Sequence, residues 1–218
     1  MAHVIIGVTG GIAAYKSGEI VRLLVKAGDE VTPILTCTAE QFVGRRTFEA
    51  LARKPSPDDV YPHLVEADLL LIAPLSANTL AKLATGFADG VLTQLALAFP
   101  GPVVVAPAMN TRMWQHAATR ANVERLRERG VTFVGPKVGE LAEGEFGAGR
   151  MSEPAEIVTT CRAVLAACEG ASLEGRSVLV TAGGTREPID SVRYVGNRST
   201  GRMGSAIAKT ASDKNNGI

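Results

Sequence analysis

Short apolar runs recur along this chain, and most are followed by a stretch in which apolar residues return every three or four positions. His3–Val8, Glu30–Leu35, Leu69–Ala73, Val103–Ala106 and Val131–Val134 are short and rich in β-branched residues or leucine, the pattern of strands buried on both faces. The intervening segments predict helices over Ile12–Ala27, Thr38–Leu51, Asn78–Leu83, Gly90–Ala98, Asn122–Arg129 and Glu156–Cys168. In the first of these, Ile12, Tyr15, Ile20, Leu23 and Leu24 share one face, and Gly28 closes the helix. Pro55-Ser56-Pro57-Asp58-Asp59 reads as a loop, and Gly135–Gly149 as a long glycine-rich segment. Strand–helix alternation of this kind predicts an α/β fold, a parallel sheet with helices on both faces.

The alternation breaks at Glu169-Gly170-Ala171-Ser172. Residues 1–170 are therefore expected to form one domain. Residues 171–218 are expected to be a short, incomplete second α/β segment, with a strand over Arg176–Thr181 and a helix from about Gly201. One strand and one helix bury too little surface to close a core.

With 218 residues, 46% of them hydrophobic, the chain can build a substantial core without disulfides. Lys and Arg number 23 against 22 Asp and Glu, and this near-balance argues against nucleic acid as a partner. The odd set Cys37, Cys161 and Cys168 has no metal-ligand spacing, which fits a reduced, cytoplasmic setting. The first strand begins at once, and no apolar run approaches the ~18 residues of a membrane helix, so neither a leader nor a membrane partner is expected.

Three strand-end segments hold the candidate chemistry. Gly7-Val8-Thr9-Gly10-Gly11-Ile12-Ala13-Ala14-Tyr15-Lys16 joins the first strand to the first helix, where glycines and free N–H groups suit a phosphate. It lacks the G-x-G-x-x-G spacing of a nicotinamide site, and a merely tight turn would also account for it. Pro74-Leu75-Ser76-Ala77-Asn78-Thr79 follows the third strand, as a ligand loop or an ordinary helix cap. Pro107-Ala108-Met109-Asn110-Thr111-Arg112-Met113-Trp114 follows the fourth, and Pro107 is expected to stop the ladder. Its amide, thioethers and indole suit a flat, partly apolar ligand at the carboxyl ends of the strands, or else a loop with a packing tryptophan. Thr36 and Thr38 stand at another helix start, as caps or phosphate donors. Among the histidines, His3 and His116 read as structural or solvated. His63, ahead of the third strand, has the chemistry of a general base near neutral pH.

Together these segments resemble the flavin-dependent cysteine decarboxylases, most closely the branch acting on 4'-phosphopantothenoylcysteine in coenzyme A biosynthesis. The likeness spans about residues 1–168 and implies a three-layer Rossmann- or flavodoxin-like fold, FMN as cofactor, and a homotrimer or larger trimer-based assembly. It further implies that the substrate's CH2–SH is oxidised to a thioaldehyde, that CO2 then leaves, and that the resulting enethiol is reduced by the flavin. By resemblance, His63 is the base and Asn110 holds the substrate carboxylate. The same resemblance implies that Gly10, Gly11, Ile12, Thr36, Thr38, Thr47, Phe48, Ser76, Asn78 and Met109 contact FMN or shape its pocket. It likewise implies that Asn110, Met113, Ala142 and Arg150 bind substrate.

The chain departs from the family pattern at two places. Leu141–Met151 resembles the family's substrate clamp, but Glu143 replaces the clamp cysteine and is expected to donate the proton in its stead. The stretch between His63 and the third strand is about three residues short, close to one helical turn. An FMN-binding regulatory or assembly subunit of the same fold is therefore the alternative function. Val180–Asp190 and Asn197–Gly204 resemble the start of phosphopantothenate–cysteine ligase, in which the asparagine matching Asn197 serves acyl-nucleotide chemistry. No ligase activity is expected of the chain as given.

Overall fold

The computed structural model describes residues 1–56, 66–142, 144–168, 179–183, 186–190, 193–196 and 200–215, and the chain divides into units at Met1–Ala167 and Cys168–Ile218. In the first unit, β1 (His3–Val8), β2 (Glu30–Leu35), β3 (Leu69–Leu75), β4 (Val103–Pro107) and β5 (Thr132–Phe133) form one sheet. All pairs are parallel and the order is β2-β1-β3-β4-β5. This is the flavodoxin-like order, and the direction of winding reverses between β1 and β3. The α/β expectation is met.

Period-two alternation decides which residues face which layer. Val4, Ile6 and Val8 of β1, with Leu69, Leu71, Ala73, Val104 and Ala106, pack under α1 (Ala14–Lys26), α2 (Arg45–Ala52) and α7 (Pro154–Cys168). Ile5, Leu70, Ile72 and Val105 point the other way, against α3 (Ala77–Thr85), α4 (Val91–Ala98) and α6 (Ala117–Glu128). The central strands are thus apolar on both sides. Cys161 lies in the first of these layers, where burial pushes its thiol pKa up to about 12, whereas Cys37 and Cys168 are exposed. Among the described residues, no helix is long and apolar enough to cross a membrane.

Several expectations need correction. The predicted helix over 38–51 is broken into a 3-10 turn, Ala39–Gln41, and α2, because Gly44 takes an extended conformation with ψ 131°. Helix α1 starts at Ala14, so Ile12 and Tyr15 are not on its buried face; they are 59% and 64% exposed. Pro107 does not stop the ladder: it pairs with Leu75 as the last residue of β4, and the N–H of Ala108 donates to the Leu75 carbonyl. A missing N–H is tolerated at that end because the next residue supplies the donor. Two elements go beyond the expectation: within the glycine-rich segment β6 (Lys137–Glu140) and β7 (Phe146–Arg150) make an antiparallel hairpin, and α5 (Thr111–Gln115) precedes α6.

In the second unit, β8 (Arg186–Pro188) and β9 (Tyr194–Gly196) pair antiparallel, and α8 covers Arg202–Asn215. The strand expected over 176–181 lies partly outside the described residues, and Leu179–Thr181 form none. Asn197 also lies outside them.

One buried hydroxyl ties two strand ends together. Thr9 Oγ1 donates to the Pro74 carbonyl at 2.7 Å and accepts from the Ser76 N–H at 3.0 Å, with Thr9 fully buried. Thr9→Val keeps the volume but strands both backbone groups. It is expected to cost about 2 kcal/mol, read as a lower urea midpoint by the fluorescence of Trp114.

Candidate functional site

The carboxyl ends of β1, β3 and β4 converge on a cavity of about 540 Å³. Its walls are the β1–α1 turn at Gly10–Ala13, the start of α3 at Ser76 and Ala77, and Ala108–Asn110 after β4. The β6–β7 hairpin closes a fourth side through Leu141, Ala142, Gly149 and Arg150. A strand-end crevice at the winding reversal is where open parallel sheets take ligands, and this volume falls in the usual range for small molecules.

Each wall has a local cause. Gly10 packs against Thr38, and a Cβ on Gly10 would lie 2.3 Å from the threonine methyl, so the turn can hug the sheet only as glycine. A Cβ on Gly11 would meet nothing within 4 Å, leaving that face of the turn open. No side chain caps α1. Ser76 caps α3 by accepting from the Thr79 N–H.

Asn110 is held at both ends of its side chain. Its Oδ1 accepts from the Arg112 N–H at 2.8 Å, capping α5, which turns its Nδ2 outward as a donor. That Nδ2 donates to Glu145 Oε2 at 3.2 Å. The hairpin lies directly on this segment: the Met109 N–H donates to the Gly149 carbonyl at 3.0 Å. Gly147 and Gly149 make this approach possible, since added Cβ atoms would lie 2.3 Å from Thr111 Oγ1 and 2.1 Å from the Met109 carbonyl oxygen.

A charged clip flanks the cavity. Lys16 Nζ lies 3.1 and 3.2 Å from the two oxygens of Glu153, and Arg150 Nη2 lies 2.7 Å from Glu153 Oε1. The Lys16 hydrogen bond, with smaller help from Arg150, holds the Glu153 carboxyl below its ordinary 4.5. A carboxylate with a depressed folded-state pKa stabilises the fold above the unfolded value, and this contribution is lost as pH falls through the lower one. Glu153→Gln is therefore expected to lower the urea midpoint at pH 7, with the difference vanishing as acidification below 4.5 protonates the parent too.

Of the residues expected at the site, Gly10, Gly11, Ile12, Ser76, Met109, Asn110, Met113, Ala142 and Arg150 line this one cavity. Thr36, Thr38, Thr47 and Asn78 do not. Thr36 caps the 3-10 turn through the Ala39 N–H, Thr38 backs Gly10, and Thr47 and Asn78 are exposed. Phe48 is a core side chain, 1% exposed. His63 and Glu143 lie outside the described residues. Lys16, Glu145 and Glu153 were not anticipated. Lys16 sits within the glycine-turn segment and could have been flagged there, but its partner is 137 positions away.

Residues 1–166 match the Flavoprotein family model, and residues 173–217 match the model described as DNA/pantothenate metabolism flavoprotein C-terminal domain. The chain is 46% identical over 223 residues to the coenzyme A biosynthesis bifunctional protein CoaBC of Mycobacterium tuberculosis, covering 97% of this chain and 53% of that protein. It is 41% identical to the Vibrio cholerae protein of the same name, covering 95% and 54%. The chain thus spans about half the length of these curated relatives. Among solved structures, a PPC decarboxylase mutant complexed with pantothenoylaminoethenethiol superposes with a TM-score of 0.67 at 32% identity, covering 74% of this chain and 97% of that one. The FMN binding protein AtHal3 gives 0.64 at 32%, covering 74% and 95%. The match over residues 1–166, together with these similarities, places the chain in the flavoprotein family, alongside the CoaBC proteins and the PPC decarboxylase.

Proposed function

We propose that this chain binds FMN and decarboxylates 4'-phosphopantothenoylcysteine to 4'-phosphopantetheine, a step of coenzyme A biosynthesis. The observation that carries the reading is Asn110, whose amide is oriented by the α5 cap so that Nδ2 is presented as a donor on the wall of the strand-end cavity. A carboxylate is the complementary acceptor, and the α5 cap sets the direction of the donor before the ligand arrives.

The residues present fit FMN. The open face at Gly11 and the uncapped start of α1 suit a phosphate, and Ile12, Met109 and Met113 offer apolar surface to a flat ring. Held there, FMN would supply the reversible two-electron redox chemistry that the substrate's CH2–SH group needs. In this reading Gly10, Gly11, Ile12, Ser76 and Met109 hold the cofactor, with Thr38 backing the glycine turn. Asn110, Met113, Ala142 and Arg150 hold the substrate. His63 takes the thiol proton, and Glu143 returns a proton at the end. The exposed apolar side chains around the cavity, Ile12, Tyr15 and Met113, support burial against further copies in a homotrimer. Thr36, Thr47 and Asn78 would then serve a neighbouring protomer's cofactor.

Purified protein is expected to show the visible absorbance of an oxidised flavin and to release CO2 from 4'-phosphopantothenoylcysteine. Absence of CO2 release from flavin-loaded protein would sink the proposal. It would favour a non-catalytic FMN-binding subunit, a reading supported by Glu143 standing where the clamp cysteine is expected.

A further inference from the structure

Glu145 lies within the clamp-like segment Leu141–Met151 without a role of its own, yet it meets the donor on which the proposed substrate contact depends. Its carboxylate accepts from Asn110 Nδ2 at 3.2 Å, from the turn that leads into β7. The geometry is favoured from both sides. Asn110 Oδ1 is engaged by the Arg112 N–H, and the turn is closed by hydrogen bonds from the Leu141 N–H to the Glu145 carbonyl and from the Gly144 N–H to the Leu141 carbonyl.

We infer that Glu145 is a specificity-determining residue whose side-chain carboxylate occupies, with the hairpin down, the Asn110 donor that a ligand carboxylate takes. The inference rests on the functional reading above, because it assigns Asn110 Nδ2 to the substrate carboxylate. Two anions cannot both accept closely from one N–H pair without repelling each other, so a carboxylated ligand must displace Glu145. A ligand lacking the carboxylate leaves the Asn110–Glu145 contact in place.

A second observation supports a hairpin that can lift. Thr111 Oγ1 is buried under Gly147 with no hydrogen-bond partner among the described residues. Closure therefore deprives that hydroxyl of water and returns nothing, which keeps the closed hairpin from being strongly favoured. Substrate binding is thereby coupled to the hairpin through the exchange of Glu145 for the ligand carboxylate.

The test uses flavin-loaded protein and two oxygen analogues that cannot undergo thiol oxidation. One is the serine amide, which keeps the carboxylate, and the other is the ethanolamine amide, which lacks it. Calorimetric titration is expected to show E145A binding the serine amide about three- to tenfold tighter than the parent does. The ethanolamine amide should bind both proteins alike. E145Q, which keeps a weaker acceptor, should fall between parent and E145A. A common shift for both analogues, no tightening for the serine amide, or E145Q matching E145A would overturn the assignment. Failure of the parent to release CO2 from 4'-phosphopantothenoylcysteine would instead strike the functional reading itself.

Discussion

Replacing Asn110 by aspartate is expected to abolish most CO2 release while leaving the fold and the bound flavin in place. Aspartate is as good an N-cap as asparagine, so α5 keeps its start, where an oxygen now accepts from the Arg112 N–H. At the other end of the side chain a donor becomes an anion, which also gives up the contact with Glu145 Oε2. The proposed substrate carboxylate then faces a like charge instead of an N–H, and the contact that positions it for departure is lost. Removing one preorganised donor costs about 10²- to 10³-fold in rate in comparable sites, and added repulsion places Asn110→Asp toward the larger figure. Asn110→Ala loses the cap as well and should be less stable, by about 1 kcal/mol. CO2 release at saturating and limiting substrate, with the visible flavin spectrum as control, gives the answer. Activity of Asn110→Asp within threefold of the parent, flavin retained, would remove Asn110 from the proposed chemistry.

Gly149→Ala is expected to be nearly as damaging, for a steric reason. The new methyl would stand 2.1 Å from the Met109 carbonyl oxygen; the methyl is fixed by its own backbone and the oxygen belongs to backbone, so no rotamer change relieves the clash. The hairpin has to lift, breaking the 3.0 Å hydrogen bond from the Met109 N–H and opening the wall that Ala142 and Arg150 provide. Because misplacement by about 1 Å can cost about 10²-fold, a comparable loss of decarboxylation is expected, with thermal stability falling modestly because the hairpin lies outside the two core layers. Gly144→Ala is the matched control. It has a positive φ of 80° but nothing within 4 Å of an added Cβ, so it carries only a backbone cost of about 1 kcal/mol. Equal activities for the two variants would show that close approach at Gly149 is unimportant.

The two kinds of information divide along a physical line. Strands β1 to β4 and the helices between them were legible because burial imposes a period, two along a strand and near 3.6 along a helix. The parent of that pattern is the pair of apolar layers around Ile5, Ile6, Leu70 and Leu71. The strand-end location of Gly10, Ser76 and Asn110 was legible for a related reason, since turn and cap residues declare where apolar runs stop. The places where the expectation failed have no period to read. Ile12 and Tyr15 fit a helical face by spacing, but α1 starts after the first of them, and both turn toward the cavity. The hairpin within the glycine-rich stretch has no period to read, because Gly147 and Gly149 answer to closeness with Thr111 and Met109, a demand made by another segment.

By itself, then, the sequence determined the layered α/β order and the three strand-end segments that supply the walls of the cavity. Each is set by residues near one another in the chain. Only the tertiary structure decided the clip of Lys16 and Arg150 on Glu153, the hairpin seated over Met109–Thr111, and the meeting of Asn110 with Glu145. These contacts join segments as much as 137 positions apart, and their geometry exists only once the sheet has brought its carboxyl ends together.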